Sequence, residues 1–260
     1  MEEILKINQI SKWFGGLAAL HEVDLTIKKG QIFALIGPNG SGKTTLLNII
    51  NGIYKPSSGD ILFQKEPITD LPPHRITIKG IGRTFQTIRL FPEMSVKDNV
   101  MVGRHCRTQA DVFKIIFKTK TMQKEEAAIE RRALEEIQFL DLTAQASNMA
   151  KNLPYGDQRL LEMARALATD PVLLLLDEPA AGMNEVETKV LMEYIEKIRS
   201  RGITILLVEH DMNLVMAISD QIAVLNFGRK IAEGEKKAIQ NNEEVIEAYL
   251  GKGMRFAESK

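Results

Sequence analysis

Residues Gly37-Pro38-Asn39-Gly40-Ser41-Gly42-Lys43-Thr44 fit the pattern G-x-x-x-x-G-K-[ST] at every fixed position. An apolar run, Ile32 to Ile36, precedes them and reads as a buried strand. Thr45 to Ile50 follows and reads as the start of a helix. A strand, a glycine loop and a helix in this order form a phosphate cradle. Glycines let the backbone curl so that its N–H groups point inward, and the helix N-terminus adds partial positive charge. In such a frame Lys43 reaches the β- and γ-phosphates, and the Thr44 hydroxyl is placed to ligate Mg²⁺. A bound nucleoside triphosphate is the expectation.

The surrounding chain must supply the core that holds this loop. It has 260 residues, 44% hydrophobic and 26% charged, enough for one large domain or two small ones. Lys+Arg and Asp+Glu both number 34, so no overall basic footprint for nucleic acid exists. No run approaches the roughly eighteen apolar residues of a membrane span. Met1-Glu2-Glu3-Ile4 lacks the basic-then-apolar layout of a signal peptide. Cys106 is the single cysteine, so no internal disulfide forms, and a cytosolic compartment is expected.

Ile4 to Ile10 and Val23 to Ile27 alternate as half-solvated antiparallel strands do, and Asp60 to Phe63 reads as another strand. From about Thr87 to Lys151 the texture becomes helical. Asp111 to Lys118 carries Val112, Ile115 and Ile116 at helical spacing, and Met122 to Leu142 carries Ala133, Ile137 and Leu140 on one side. Val172 to Leu176 is a continuous apolar run of the kind buried on both faces of a parallel sheet, and Ile203 to Val208 reads as a second strand buried on both faces. Between them Asn184, with Glu187 three residues on, predicts a helix N-cap. Val186, Val190, Leu191, Tyr194 and Ile198 are expected to form that helix's buried face. Ile222 to Asn226 and Lys230 to Ala232, around Phe227-Gly228-Arg229, predict a hairpin. Strands alternating with helices give an α/β core.

Asp177 ends the second apolar strand and Glu178 follows it. Carboxylates at the carboxyl end of a parallel strand sit where open α/β sheets bind ligands. Asp177 suits a magnesium-associated role, and Glu178 is placed to polarise a water for attack on the γ-phosphate. His210 follows the next strand in the same way and is a candidate to hold that water or contact the phosphate. Chemistry alone favours a structural role for Gln86.

With these residues in view the chain resembles the ATP-binding cassette (ABC) ATPases, along nearly its whole length. The family's glutamine loop falls on Gln86 and its histidine loop on His210. Its adenine-stacking aromatic falls on Phe14, with Trp13 the weaker candidate. Its signature loop falls on Leu153-Pro154-Tyr155-Gly156-Asp157, and its D-loop on Ala181-Gly182-Met183-Asn184. The resemblance implies a P-loop core with an antiparallel β-subdomain (1–86 and 159–250), an inserted helical subdomain (87–158) and a polar tail (251–260). It implies ATP with Mg²⁺, the metal held by Thr44, Gln86 and Asp177. It further implies that Gly37 to Thr45 of one chain and the Tyr155–Gly156 backbone of another close on one nucleotide, head to tail.

Gly15-Gly16-Leu17, Arg83-Thr84-Phe85-Gln86, Arg89-Leu90-Phe91 and Glu209-His210-Asp211-Met212 narrow the resemblance, with Pro179 to Asn184 and Val245 to Gly251. They are similar to the ATPase subunit of prokaryotic branched-chain amino acid importers. That subgroup implies permease subunits, a second ATPase, an indirect solute-binding protein, and residence on the cytoplasmic face of the membrane. Urea or amide importers and lipopolysaccharide-export ATPases share much of this texture. A soluble cassette acting on DNA or ribosomes is disfavoured by the single cassette, the lack of heptads and the neutral charge. Pro154, Asp157 and Asn184 depart from the family's usual serine, glutamine and aspartate.

Overall fold

The computed structural model describes residues 2–107 and 120–250. The helix expected over Asp111 to Lys118 and the tail after Leu250 lie outside these. Strands β1 (Glu3–Phe14), β2 (Leu17–Lys28), β4 (Ser58–Phe63) and β5 (Glu66–Pro67) form an antiparallel sheet in the order β2-β1-β4-β5. A second sheet runs β10-β9-β3-β8-β7-β6, from β3 (Ile32–Ile36), β6 (Ile81–Arg83), β7 (Leu173–Asp177), β8 (Thr204–Val208), β9 (Gln221–Asn226) and β10 (Arg229–Gly234). From β9 to β6 every pair is parallel, while β10 turns back antiparallel on β9.

Every residue of β3, β7 and β8 is buried. Their apolar runs, opened by Thr204 in β8 and closed by Asp177 in β7, therefore serve a sheet covered on both faces. One face packs on the antiparallel sheet through Phe33, Leu35, Leu173, Leu175, Leu206 and Val208. The other packs on helices through Leu174, Leu176, Ile205 and Leu207. Burial of one such side chain contributes about 1.5–3 kcal/mol.

Helices α1 (Lys43–Ile50), α2 (Pro73–Lys79), α3 (Val96–Arg104), α4 (Lys120–Phe139) and α5 (Tyr155–Leu167) precede β7; α6 (Glu185–Ser200), α7 (Met212–Ile218), α8 (Lys236–Gln240) and α9 (Glu243–Leu250) follow it. Val100 of α3, Ala133 and Ile137 of α4, Leu140 just beyond it, and Leu161 and Ala164 of α5 share one core with the sheet. Helix α5 runs unbroken across residues 158 and 159, so the helical insert and the sheet meet along one rod.

The helix after Asn184 begins with a capping box. The Asn184 side chain accepts from Val186 and Glu187 N–H at 2.9 and 3.0 Å, and the Glu187 carboxylate accepts from Asn184 N–H at 2.9 Å. Its buried face is corrected by the structure. Leu191, Tyr194, Ile195 and Ile198 are buried, whereas Val186 and Val190 are exposed. The two valines lie one stripe round from that inner row, on the solvent side of the helix.

Candidate functional site

The parallel strands end on one edge of the sheet, and four of them deliver chemistry there. Gly37 follows β3, Asp177 closes β7, His210 follows β8 and Gln86 follows β6. Because β3 lies between β8 and β9, its loop opens at the middle of the sheet.

The glycines of that loop are required by its path. A Cβ on Gly37, at φ 149°, would lie 2.1 Å from the Leu225 carbonyl oxygen; one on Gly42, at φ 106°, would lie 2.6 Å from that of Ala19. Lys43 is buried, and its ammonium donates to the carbonyls of Gly37 and Pro38 at 2.7 and 3.0 Å. Burial pushes its pKa down, against the opposing pull of Glu178 and Asp177. A cavity of about 660 Å³ opens beside it. Phe14, Asn39 through Thr45, Gln86 and Glu178 line it, with Phe227. Its size falls in the range of small-molecule sites, about 300–1,000 Å³. Phe14 stands at its rim, edge-on to Tyr54 at 5.4 Å, while Trp13 turns instead to His21 at 6.4 Å.

Asp177 and Glu178 face different partners. Asp177 is 1% exposed and pairs with the buried Arg83 at 3.0 Å. Burial raises its pKa, with Arg83 pulling the other way. Arg83 also donates to Asn48 Oδ1 at 2.8 Å, which ties β6 to α1 behind the loop. Glu178 has its backbone at φ 49°, in the left-handed region that a side chain resists. Its N–H donates to the Val208 carbonyl at 2.8 Å, and the Ala181 N–H donates to its carbonyl at 3.1 Å. The strained turn aims the carboxylate at the cavity. There it accepts from Gln86 Nε2 at 2.9 Å and lies 3.7 Å from His210 Nδ1. Gln86, favoured as structural on chemistry alone, is thus brought against the carboxylate beside the phosphate loop.

Glu209, which carries no role of its own in the sequence beyond the run Glu209 to Met212, sits under His210. It is buried and accepts from Ala180 N–H at 2.9 Å and from His210 N–H at 3.0 Å. Burial raises its pKa, and those backbone donors oppose the rise. The loops after β7 and β8 are joined through this one side chain.

The loop at 153–157 starts α5. Pro154 is its N-cap and supplies no side-chain cap, so the first-turn N–H groups of Tyr155 and Gly156 look outward unpaired within the helix. Asp157 lies in that acid-favouring first turn and accepts from Gln145 Nε2 at 3.4 Å. A Cβ at Gly156 would meet the Glu187 carboxylate at 3.2 Å. Tyr155 and Gly156 do not line the cavity beside Lys43. Within one chain the two halves of the expected site stay apart.

The residues fit a magnesium ion. Asp177 Oδ1 is buried without a hydrogen-bond partner, while Oδ2 is held by Arg83. With the Thr44 hydroxyl and the Gln86 amide oxygen, the donors are hard oxygens only, as Mg²⁺ prefers, and few, as suits an ion shared with phosphates.

Comparison with known proteins gives the same answer by another route. The family model described as ABC transporter matches residues 20–181, and one described as branched-chain amino acid ATP-binding cassette transporter matches residues 229–254. The chain is 44% identical over 251 residues to the high-affinity branched-chain amino acid transport ATP-binding protein LivG of Escherichia coli (strain K12), covering 96% of this chain and 98% of that one. The crystal structure of MJ1267, an ATP-binding cassette of an ABC transporter in its ADP conformation, superposes with a TM-score of 0.84 at 34% identity, covering 96% of this chain and all of that one. A dimeric structure of the cassette MJ0796 superposes with a TM-score of 0.76 at 27% identity, over 89% of this chain and 98% of that one. Phosphate loop, acidic strand end, fold and sequence converge, and the chain belongs to the ABC transporter family as one of its ATP-binding cassettes.

Proposed function

We propose that this chain is the ATP-hydrolysing subunit of a prokaryotic importer for branched-chain amino acids. The observation that carries the chemistry is Glu178, held by Gln86 and strained toward the cavity beside Lys43. Support for the solute comes from the match at residues 229–254 and from the likeness to LivG.

In the mechanism, Phe14 packs on the adenine, and the N–H groups of Gly40 to Thr45 surround the phosphates. Lys43 leaves the carbonyls of Gly37 and Pro38 for the phosphate oxygens. Thr44, Gln86 and Asp177 hold Mg²⁺, which when bound neutralises charge on the phosphates. Gln86 orients the attacking water. Glu178 accepts its proton as the oxygen bonds to the γ-phosphorus and ADP leaves. His210, beside Glu178, donates a hydrogen bond to the γ-phosphate. The first turn of α5 at Tyr155 and Gly156, from a second ATPase subunit facing head to tail, closes the site. ATP then holds the pair together and hydrolysis releases it.

Among the described residues no helix is long and apolar enough to cross a membrane. The link to transport is therefore proposed to be peripheral, by docking on permease subunits at the cytoplasmic face. A groove of about 350 Å³ beside the glutamine loop suits such docking; Phe85, Phe91, Val102, Cys106 and Arg165 are on its walls. Leu90 packs into the core, but Phe91 is 45% exposed. Phe91→Glu is expected to abolish co-purification with the permease and leave ATP affinity of the isolated chain unchanged. Intact co-purification places the docking surface elsewhere.

The solute is tested by disrupting the gene and following uptake of labelled leucine and labelled urea. Leucine uptake is expected to fail while urea uptake persists. The reverse pattern assigns the subunit to amide import.

A further inference from the structure

A closed ring of hydrogen bonds joins the start of α5 to the catalytic loops of its own chain. Arg159, buried at 4% exposure, donates from Nη2 to the Gln86 carbonyl at 2.8 Å and to the Tyr155 hydroxyl at 2.9 Å. Its Nη1 donates to the Phe85 carbonyl at 3.0 Å. The Tyr155 hydroxyl donates onward to the Ala181 carbonyl at 2.9 Å. Ala181 N–H donates to the Glu178 carbonyl at 3.1 Å, and the Gln86 amide returns to the Glu178 carboxylate at 2.9 Å. The Arg159 and Tyr155 side chains in this ring grip main chain, so the ring fixes loop paths as well as side chains.

Packing supports the same contacts. The Arg159 guanidinium carbon lies 5.4 Å from the centre of the Tyr155 ring. Gly182, at φ 82°, makes room for that ring, which an added Cβ would meet at 3.1 Å. Glu162, one turn along α5, accepts from the N–H groups of Phe85 and Arg89 at 3.3 and 3.4 Å. A buried guanidinium committed to two adjacent carbonyls of one loop is costly to desolvate, and its planar fork matches that pair as an ammonium does not.

We infer that Arg159 and the Tyr155 side chain are positioning residues for hydrolysis. They set the Gln86 amide and the Glu178 carboxylate against each other and bind that pair to the helix whose N-terminus is offered to the opposite site. This rests on Gln86 and Glu178 being the catalytic pair proposed above. Loss of the water-holding geometry in one site then loosens the helix presented to the other.

The test is a double-mutant cycle on the full chain with its transport partners. Tyr155→Phe keeps the ring and removes one oxygen. It is expected to lower kcat roughly tenfold, about 1.4 kcal/mol of activation free energy, with KM within about twofold of wild type. In a Gln86→Ala background the same change should cost almost nothing more, because the amide it positions is gone. Arg159→Lys keeps the charge, loses the fork and should follow the same non-additive pattern; if it fails to fold, Tyr155→Phe alone decides. Full additivity in the two backgrounds, or unchanged kcat, overturns the inference. Glu178→Gln assayed in parallel separates the layers. If it still turns over, the catalytic pair itself is wrong and the inference falls with it. If it is inactive while Tyr155→Phe is additive, only the positioning role falls.

Discussion

Glu178→Gln is expected to bind ATP with wild-type affinity and to hydrolyse it at least about a hundredfold more slowly, the usual cost of a lost catalytic proton acceptor. The substitution preserves shape, and the new amide oxygen still accepts from Gln86 Nε2, which now lies 2.9 Å from Glu178 Oε2. What disappears is the negative charge that takes the water's proton. The variant should therefore accumulate as an ATP-bound dimer, seen as a doubled mass by light scattering in ATP and a single mass in ADP. Near-normal turnover with the transport partners present removes Glu178 from the role.

Gly156→Asp is expected to abolish ATP-driven dimerisation while single chains still bind nucleotide through Lys43. The fold should survive. An acid in the first turn of a helix is favourable by about 0.3–1 kcal/mol, and the nearest obstacle is a side-chain end, the Glu187 carboxylate of the capping box, at 3.2 Å. The damage falls on the outward surface, where a carboxylate would face the γ-phosphate across the dimer. The measurement is light scattering of the Glu178→Gln, Gly156→Asp double variant in ATP, with thermal unfolding as control. A dimer of normal affinity shows that the phosphate is not reached by this helix end.

Much of this arrangement is legible in the residues. The runs Ile32–Ile36, Leu173–Leu176 and Ile205–Val208 are apolar throughout, and only a sheet covered on both faces asks for that. The phosphate loop, Asp177, Glu178 and His210 each follow such a run, so the site edge is written in their order. The capping box at Asn184 needs only residues three apart.

What escapes the sequence depends on distant strand ends meeting. Gln86 gains its partner because β6 and β7 are neighbours, and nothing near residue 86 announces this. Arg83, visible in the sequence only as part of the run to Gln86, gains its role from Asp177 of another strand, with which it forms a buried pair. Glu209 stands in the sequence only as a neighbour of His210, and its part as a tie between two loops shows once the ends of β7 and β8 are side by side. Val186 and Val190 mislead in the opposite sense, since apolar side chains on a solvent stripe look like core. The first strand also runs further than its alternation suggests. Gln9, at φ 47°, takes up a register irregularity, and pairing continues to Phe14.

The place of β3 in its sheet has a consequence for how the protein is made. Ile32 pairs opposite Ile205, and Phe33 opposite Gln221, so both edges of this strand are paired by strands far downstream in the sequence. During synthesis the phosphate loop emerges well before either native neighbour of its strand: β8 is complete only at Val208 and β9 only at Asn226. Such long-range pairing is slow, and an open apolar edge recruits other strands. Nucleotide competence thus waits for β8 and β9. A truncated product lacking β8 and β9 keeps the whole phosphate-loop motif and is expected to aggregate instead of binding ATP.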